Sequence, residues 1–565
     1  MALHVLRPRE MRFSIDTRIQ TPPPSEEENN DDNSNNKPTP EIRWRDLPHK
    51  DQLFILSLCR LSEPLSNVCL LPYIFYLVRS ITPYSSSSSS SSVVSSNSGI
   101  LVAAFPLAQF LTSYPWGHLS DIYGLRRPSI LSGLFVSVIA NICFGLSKTF
   151  PSLLVWRVIA GLANGNVSIM RTVTAEIVRG KNEKKFQTKA FLLLPLVFNS
   201  GMVLSLALGG CLAEPTVNLP GLFGPEGIFN VDGNKEGVGW ASRFPYALPA
   251  LLNAAALGSV WILAFLGLRE TGPGRSGKDE DWGLRLGRRC TCIWWRRRKD
   301  TRGYTALENN DGKKEEEEEE EEEEETACEK LSEKPPRTIW TRKVLSALIS
   351  FSLLPLHNSA FMHIFPVFLS SPPTPSTSPS TNSPSSSSFL FFSGGLGLPP
   401  STIGLCLSFF GVGGILLQLF IYPRLQRRIG TRGVLRIALS MFPVTYLVAP
   451  YLSLLAGDGE SVSVSVWVWV LLGVVVCAQI MARTMAIPST VILLTEAAPS
   501  KKVLGTVHGA GNMLSSLARA VGPAVGGYVF AVGVEKGVVG LVWWVYLVGV
   551  ALGALAWSYF GDDGV

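Results

Sequence analysis

Long apolar stretches separated by polar segments run through most of the chain. A helix that crosses a bilayer needs about 20 mostly apolar residues, because each residue rises about 1.5 Å and the hydrocarbon layer is about 30 Å thick. Twelve stretches meet this requirement, and they predict an all-α membrane protein with twelve transmembrane helices. The stretches lie near 53–79, 99–119, 128–147, 151–177, 190–213, 245–267, 344–369, 401–423, 433–455, 464–495, 503–534 and 538–560.

Three of the predicted helices carry a stripe of polar residues on one face, since positions three or four apart lie close together at 100° per residue. An arginine that faces lipid costs several kcal/mol, so these faces must contact protein or water. Helix packing through hydrogen bonds would satisfy them, but their charge and their presence in both halves of the chain favour a water-filled central cavity. The stripes are Arg157, Gly161, Asn164, Ser168 and Arg171 in the fourth helix, Gln479, Arg483 and Thr490 in the tenth, and His508, Asn512, Ser515 and Arg519 in the eleventh.

The first predicted helix contains Glu63, the one acidic residue that lies well inside a membrane span. Arg60 precedes it by three positions, about 60° around the helix, and Pro64 loosens the local hydrogen-bond pattern. Burial favours the protonated acid, whereas the neighbouring arginine favours the carboxylate. A proton-coupling role for Glu63 and a purely structural ion pair are therefore both open.

Polar segments divide the chain into five predicted parts. These are a disordered cytoplasmic tail (1–51), a six-helix bundle (52–268), a charged and largely disordered cytoplasmic linker (269–343), a second six-helix bundle (344–560) and a short C-terminal tail (561–565). No cleavable signal peptide is predicted, because the first 50 residues hold no apolar core. The basic cluster at 288–299 and the acidic run at 315–325 either draw the linker to anionic lipid headgroups or merely keep it solvated, and the second interpretation is favoured.

Lysine and arginine are unequally distributed across the predicted membrane. Of the 50, forty fall on the side of the N-terminus, five on the opposite side and five inside spans. Because positively charged loops stay in the cytoplasm, both termini are predicted to be cytoplasmic, in a plasma or vacuolar membrane. Six of the nine cysteines fall in spans and three in the linker, so no external disulfide framework is expected.

The chain lacks the residue combinations typical of enzymes and metal sites. His118 and Asp121 lie in a basic loop with no nucleophile nearby, and no Gly-Lys-Ser or Gly-Lys-Thr phosphate loop occurs. His357 and His363 lie about 120° apart on the seventh helix, so they cannot form one metal site alone. The sequence therefore predicts no enzyme, cofactor, metal or nucleic-acid partner.

The loop after the second span is repeated after the eighth. At an offset of 306, Gly124 matches Gly430 and Arg126 matches Arg432. The first loop also resembles the Gly-x-x-x-Asp-x-x-Gly-x-Arg-Arg signature of the major facilitator superfamily, through Gly117, Asp121, Gly124, Arg126 and Arg127. The resemblance implies two pseudo-symmetric six-helix bundles, with this gating loop holding the cytoplasmic helix ends.

Other motifs are similar to those of proton antiporters within that superfamily. Arg157, Gly161 and Gly165 resemble the proton-transfer motif of the fourth span, although no acid shares their face. A helix-packing motif is formed by Gly522, Pro523, Gly526 and Gly527 in the eleventh span and by Gly201, Gly209 and Gly210 in the fifth, where Ser205-Leu206 replaces the usual Gly-Pro. The segments 59–64 and 246–249 look like a fungal branch related to tetracycline-resistance and zinc-induced-facilitator-like carriers, but the Cys-Pro-Gly-Cys motif of the plant members is missing.

These features predict a monomeric secondary transporter that exports a small organic solute or drug-like metabolite by alternating access, in antiport with protons. Proton-coupling or cavity candidates are Arg60, Glu63, Arg157, Asn164, Arg171, Gln479, Arg483, His508, Asn512 and Arg519. Because arginines outnumber acids inside the spans, a carrier of an anionic metabolite without proton antiport is one alternative. A non-transporting membrane receptor or scaffold with the same fold is another.

Overall fold

A computed structural model of the protein describes residues 48–82, 89–178, 187–231, 233–271, 283–286, 339–373, 394–455, 466–499 and 503–560. Within these ranges the regular structure is helical, apart from an isolated bridge between Pro373 and Gly394. Residues 1–47 of the predicted N-terminal tail, the C-terminal tail and most of the predicted linker, including its basic cluster and acidic run, lie outside the described residues.

The N-terminal half comprises eleven named helices, of which α8 to α10 are short and connect α7 to α11. Their bounds are α1 (Lys50–Cys59), α2 (Ile74–Ile81), α3 (Ser89–Tyr123), α4 (Arg126–Gly145), α5 (Phe150–Ala163), α6 (Val167–Ile177), α7 (Gln187–Leu212), α8 (Pro215–Asn218), α9 (Pro220–Phe223), α10 (Gly239–Arg243) and α11 (Ala247–Gly267). The C-terminal half comprises α12 (Arg342–Ser370), α13 (Pro400–Leu416), α14 (Tyr422–Val448), α15 (Leu452–Leu455), α16 (Val466–Ala497), α17 (Leu504–Glu535) and α18 (Val548–Phe560).

Nine helices in the described ranges are long and apolar enough to cross a membrane. One of them, Pro400–Leu455, contains two predicted spans, because its backbone turns at Gly430. The fifth predicted span is a shorter apolar helix, Leu196–Leu212, and the first is divided into α1 and α2. The all-α membrane fold is thus confirmed, while the full set of twelve crossings stays a prediction.

The surface also fits a lipid environment. Large apolar side chains are exposed along the helices of both halves, among them Leu111, Phe409, Trp467 and Val545. A soluble protein seldom exposes contiguous apolar surface on this scale. These side chains are the ones that hydrocarbon would cover.

The first predicted helix is interrupted where its charged residues lie. Helix α1 ends at Cys59, a π-helical turn covers Pro64–Val68, and α2 begins at Ile74. Pro64 has no N–H to donate and its ring disturbs the preceding turn, which explains why the regular α-helix stops here. π-Helical turns of this kind often occur at functional sites. Glu63 immediately precedes this π-helical turn, between the end of α1 and the start of α2.

The repeated loops have matching backbone geometry. Gly124 between α3 and α4 has φ of 61°, and Gly430 has φ of 72°. Only glycine adopts this left-handed region readily, which explains why both loops keep a glycine at the turn between adjacent spans. The pseudo-symmetry predicted from the offset of 306 is therefore present in the backbone.

The two halves pack together toward one end of the molecule, which we call the distal end; it is the end where α2 finishes and α3 begins. A Cβ atom added at Gly99 of α3 would lie 3.2 Å from the Cα atom of Gly527 in α17. A Cβ atom added at Gly210 of α7 would lie 2.7 Å from the Cα atom of Gly404 in α13. These two glycine pairs let four helix backbones from opposite halves approach closely.

Further contacts between the halves also lie at the distal end. Ser92 of α3 donates to Glu535 of α17 at 2.7 Å, and the Tyr76 hydroxyl donates to the carbonyl of Leu398 at 2.6 Å. Near mid-helix, Asn199 of α7 donates to Gln418 at 3.1 Å. The distal end is therefore closed by direct contact between the halves.

Candidate functional site

A buried ion-pair cluster lies at the interruption of the first helix and comprises Arg60, Glu63 and Arg519. Glu63 is 2% exposed. Nη1 of Arg60 donates to its Oε2 at 2.5 Å, and Nη1 of Arg519 in α17 donates to its Oε1 at 2.5 Å. Because Arg60 and Glu63 belong to the N-terminal half and Arg519 to the C-terminal half, a single carboxylate joins the two halves at mid-helix.

The amide of Gln109 and the hydroxyl of Ser62, next to Glu63, connect this region to the fourth span. The Arg519 Nη2 atom donates to Oε1 of Gln109 at 3.4 Å, and Nε2 of Gln109 donates to the backbone carbonyl of Asn164 at 3.2 Å. The Ser62 hydroxyl donates to Oδ1 of Asn164 at 2.9 Å. Asn164 lies in the 3-10 turn, Asn164–Asn166, between α5 and α6. Gln109 was missed by the sequence analysis, because a lone amide in α3 forms no periodic stripe.

Arg171 lies near the cluster but is not paired with it. It is within electrostatic range of Arg60, Glu63 and Arg519, yet its guanidinium group makes no hydrogen bond or ion pair with any residue in the described ranges. His508 of α17 lies within electrostatic range of Arg171, and its Nε2 atom is 3.1 Å from the Thr495 hydroxyl. Arg171 is thus an intramembrane cation without a hydrogen-bond or ion-pair partner in the described part of the chain.

Arg157 lies apart from the cluster and is fully engaged by neutral acceptors. It is 2% exposed. Its Nη1 atom donates to the carbonyl of Ser66 at 2.6 Å and its Nη2 atom to Oδ1 of Asn67 at 2.7 Å, both in the π-helical turn. Its guanidinium group also lies over the ring of Phe105. Arg157 therefore stabilises the interrupted segment that carries Glu63.

The tenth-span candidates Gln479 and Arg483 occupy two different environments. Nε2 of Gln479, which is fully buried, donates to Oδ1 of Asn358 in α12 at 3.2 Å. Nη1 of Arg483 contacts the thioether sulfur of Met202 in α7 at 3.3 Å. A thioether is a weak acceptor, so Arg483 has no strong partner among the described residues. Asn512 is half-buried on α17, four residues beyond His508.

The predicted gating loop is held by two acids that the sequence analysis did not single out. Arg126 forms an ion pair with Glu176 at 3.2 Å, and the backbone N–H groups of Arg126 and Arg127 donate to the two carboxylate oxygens of Glu270 at 3.0 and 3.1 Å. The acid of Glu270 thereby caps the N-terminus of α4, where free N–H groups and the helix dipole favour a negative charge. Gly117 and Asp121 lie in the last two turns of α3; the side chain of Asp121 is outside the described residues.

The glycines of the predicted helix-packing motif lie against neighbouring helices. A Cβ atom at Gly201 would lie 2.6 Å from the Leu61 side chain, and one at Gly526 would lie 2.7 Å from that of Ile364. The carbonyl of Pro523 would lie 2.6 Å from a Cβ atom at Gly99. The remaining members contact the backbone or side chain of another helix or turn: Gly161 contacts Phe105, Gly165 contacts Thr112, Gly209 contacts Cys69, Gly210 contacts Gly404, Gly522 contacts Ser359 and Gly527 contacts Ser95.

In the described ranges, no group of three His, Cys, Asp or Glu side chains could hold a metal ion. His357 lies 2.8 Å from the Tyr446 hydroxyl through its Nδ1 atom, whereas His363 lies beside Gly99. The chemistry available at the cluster is ionic: two arginines and one carboxylate lie at the junction of the two halves, with Arg171 and several amide and hydroxyl groups nearby.

Comparison with known proteins places these features in a family. The sequence profile of the Major Facilitator Superfamily matches residues 56–373. The chain is 30% identical to the major facilitator superfamily multidrug transporter mfsB of Aspergillus fumigatus over 89% of this chain and 81% of that protein. It is 23% identical to ZINC INDUCED FACILITATOR 1 of Arabidopsis thaliana over 86% of this chain and 85% of that protein. The crystal structure of the human organic anion transporter MFSD10 has the same fold, with a TM-score of 0.52 and 17% identity over 90% of this chain and 99% of that one.

Proposed function

This chain belongs to the major facilitator superfamily, and from that membership we propose that it is a secondary active transporter that exports a small organic solute in exchange for protons. Its relative mfsB is named a multidrug transporter, which supports export of a drug-like solute. The observation that carries proton coupling is the Glu63–Arg519 ion pair, because one buried acid joins the two halves of the molecule.

Proton coupling follows from the charge on Glu63. As a carboxylate it accepts a charge-assisted hydrogen bond from an arginine of each half. Protonation removes the negative charge and weakens both bonds, since charge-assisted hydrogen bonds are about twice as strong as neutral ones. Binding of a proton shifts the equilibrium between two conformations only if its binding free energy differs between them. Loss of the bond that crosses between the halves supplies such a difference.

Alternating access is the proposed movement, with the bundles 52–268 and 344–560 rocking about the cluster and the segment 269–343 connecting them. The closed distal end supports a conformation that opens toward the termini. With both termini in the cytoplasm of a plasma or vacuolar membrane, this conformation loads solute from the cytoplasm. Protons that return to the cytoplasm then drive the export by a monomer.

The test is solute flux into proteoliposomes with an acidic lumen and a neutral exterior. A panel of radiolabelled cationic, neutral and anionic drug-like solutes is offered to the full-length protein. We expect uptake of at least one solute to depend on the pH gradient and to fall about tenfold or more in Glu63→Gln, which cannot exchange a proton at this position.

Glu226→Gln is the matched control, because Glu226 is exposed in the connection between α9 and α10. It should transport as the wild type does. Flux that persists without the gradient and in Glu63→Gln would refute proton coupling. Background flux for every solute would instead support the receptor or scaffold alternative.

A further inference from the structure

We propose that the transported solute carries an anionic group and that Arg171 binds this group directly. The inference rests on the transport function proposed above and names its substrate class. Arg171 lies on the polar face of the fourth span, close to the junction of the two halves. The site would take a carboxylate, sulfonate or phosphate group.

The charges around Arg171 do not balance within the protein. Three guanidinium groups, those of Arg60, Arg171 and Arg519, lie within electrostatic range of a single carboxylate. Both oxygens of that carboxylate are already engaged, Oε2 by Arg60 and Oε1 by Arg519. The cluster therefore keeps an excess of positive charge that repels a cationic solute and attracts an anionic one.

Arg171 differs from Arg157 on the same polar stripe. Arg157 has two backbone carbonyls and one amide oxygen as acceptors, whereas the guanidinium of Arg171 has no acceptor in the described ranges. A guanidinium group carries five N–H donors in a fork that matches carboxylate and sulfonate geometry. Because Arg171 is only half-buried, these donors are open to a solute that enters between the halves, and a bound anion would accept from them.

Further donors without acceptors lie on the same face and on the facing half. The Ser168 hydroxyl, three residues before Arg171, is buried and has no hydrogen-bond partner. The Nε atom of Arg519 is also buried without an acceptor. His508 contributes a second side chain from the C-terminal half, within electrostatic range of Arg171. An anion beside Arg171 would therefore lie close to polar side chains of both halves, Ser168 of the fourth span and His508 and Arg519 of α17.

The test compares three compounds that share a phenyl ring and differ in charge at neutral pH. Benzenesulfonate is anionic, benzenesulfonamide is neutral and phenyltrimethylammonium is cationic. Binding is measured as the rise in the thermal unfolding midpoint of the full-length purified protein. We expect benzenesulfonate alone to stabilise the wild type. Arg171→Gln should weaken its apparent affinity about tenfold or more, the loss of one charge-assisted hydrogen-bonding partner. Arg171→Lys should weaken it less, because it keeps the charge and loses the fork.

Arg424→Gln is the control, since it removes one positive charge from an exposed position far from the cluster. It should bind benzenesulfonate as the wild type does. The anion site is refuted if benzenesulfonate fails to stabilise the wild type up to its solubility limit, if the neutral or cationic compound stabilises equally, or if both Arg171 variants bind as the wild type does.

The two proposals fail in different ways. Benzenesulfonate that binds through Arg171 but is not moved by a pH gradient would support the anion site and refute proton-driven transport of this class. Gradient-driven, Glu63-dependent flux of phenyltrimethylammonium, with no benzenesulfonate binding, would support the transport function and refute the anion site.

Discussion

The first and seventh spans share a short sequence pattern, but only the first has an acidic residue directly before its proline. Pro64-Leu65-Ser66-Asn67 in the first span corresponds to Pro355-Leu356-His357-Asn358 in the seventh. Each asparagine accepts from a residue two spans or more away in its own half: Asn67 from Arg157 and Asn358 from Gln479. The residue before the proline, however, is Glu63 in one half and Leu354 in the other.

The backbones of these two segments also differ. The first span is interrupted and forms a π-helical turn from Pro64, whereas α12 continues through Pro355 as an α-helix. Around His357, aromatic rings pack closely: the His357 and Phe442 ring centroids are 4.6 Å apart, and Tyr446 lies beside them. The first span thus provides a charged, irregular segment and the seventh a continuous helix packed by aromatic rings, although both contain the same short sequence pattern.

The largest expected loss of stability comes from placing an acidic residue in the seventh span at the position that corresponds to Glu63. Leu354→Glu places an acid in an apolar cluster to which residues of both halves contribute. We expect a loss of at least about 3 kcal/mol in stability, because a buried polar group without a hydrogen-bond partner is strongly unfavourable. The thermal unfolding midpoint in detergent measures the effect.

Leu354→Met is the control for that change, as it keeps the volume and should cost less than about 1.5 kcal/mol. Equal midpoints for Leu354→Glu and the wild type would mean that the seventh span tolerates an acid as the first does. The two spans would then not differ in this respect.

A smaller effect is expected when the asparagine contacts are removed. Arg157→Gln takes the cation from the Ser66 carbonyl and Asn67, and should destabilise by about 2 to 3 kcal/mol. Gln479→Leu takes one neutral hydrogen bond from Asn358 and should destabilise by about 1 kcal/mol. Midpoints of both variants in the same detergent test this order; the reverse order would show that Arg157 is not the main support of the interrupted segment.

The smallest effect on stability is expected from the two prolines. Pro64→Ala and Pro355→Ala should each change stability by about 1 kcal/mol or less, since relief of helix strain offsets lost packing. Transport should nevertheless separate them: Pro64→Ala allows the first span to become regular and moves Glu63, whereas Pro355→Ala leaves a helix that is already continuous. Gradient-driven flux that falls only in Pro64→Ala would support this difference, and equal flux would contradict it.

Many of the residues in the cluster could be predicted from the sequence, but their pairing could not. Arg60 and Glu63 are neighbours on one helix, and Arg519 belongs to a visible polar stripe. That Arg519 reaches Glu63, 456 positions away, depends on how two helices of different halves pack. The sequence does not predict the roles of three further residues, because each is a single polar residue that contacts a partner far away in the chain. These residues are Gln109, Glu176 and Glu270.

The roles of the stripe arginines likewise required tertiary contacts. Arg157 and Arg171 share a face of the fourth span and a similar sequence pattern. Packing against the π-helical turn gives Arg157 two of its acceptors, while Glu63, the carboxylate within electrostatic range of Arg171, is already engaged by Arg60 and Arg519. Helical periodicity predicts which residues share one face of a helix. The residues that pack against that face determine whether each of them is hydrogen-bonded.

By itself the sequence determined the all-α membrane fold, the duplicated turn glycines and the presence of charge inside the spans. Each of these depends on local composition and spacing: apolar length sets a span, and a left-handed turn requires glycine. Only the tertiary structure decided that Glu63 joins the two halves and that Arg171, among the described residues, has no hydrogen-bonding partner. Ion pairing between distant segments depends on the relative positions of whole helices, which no local pattern encodes.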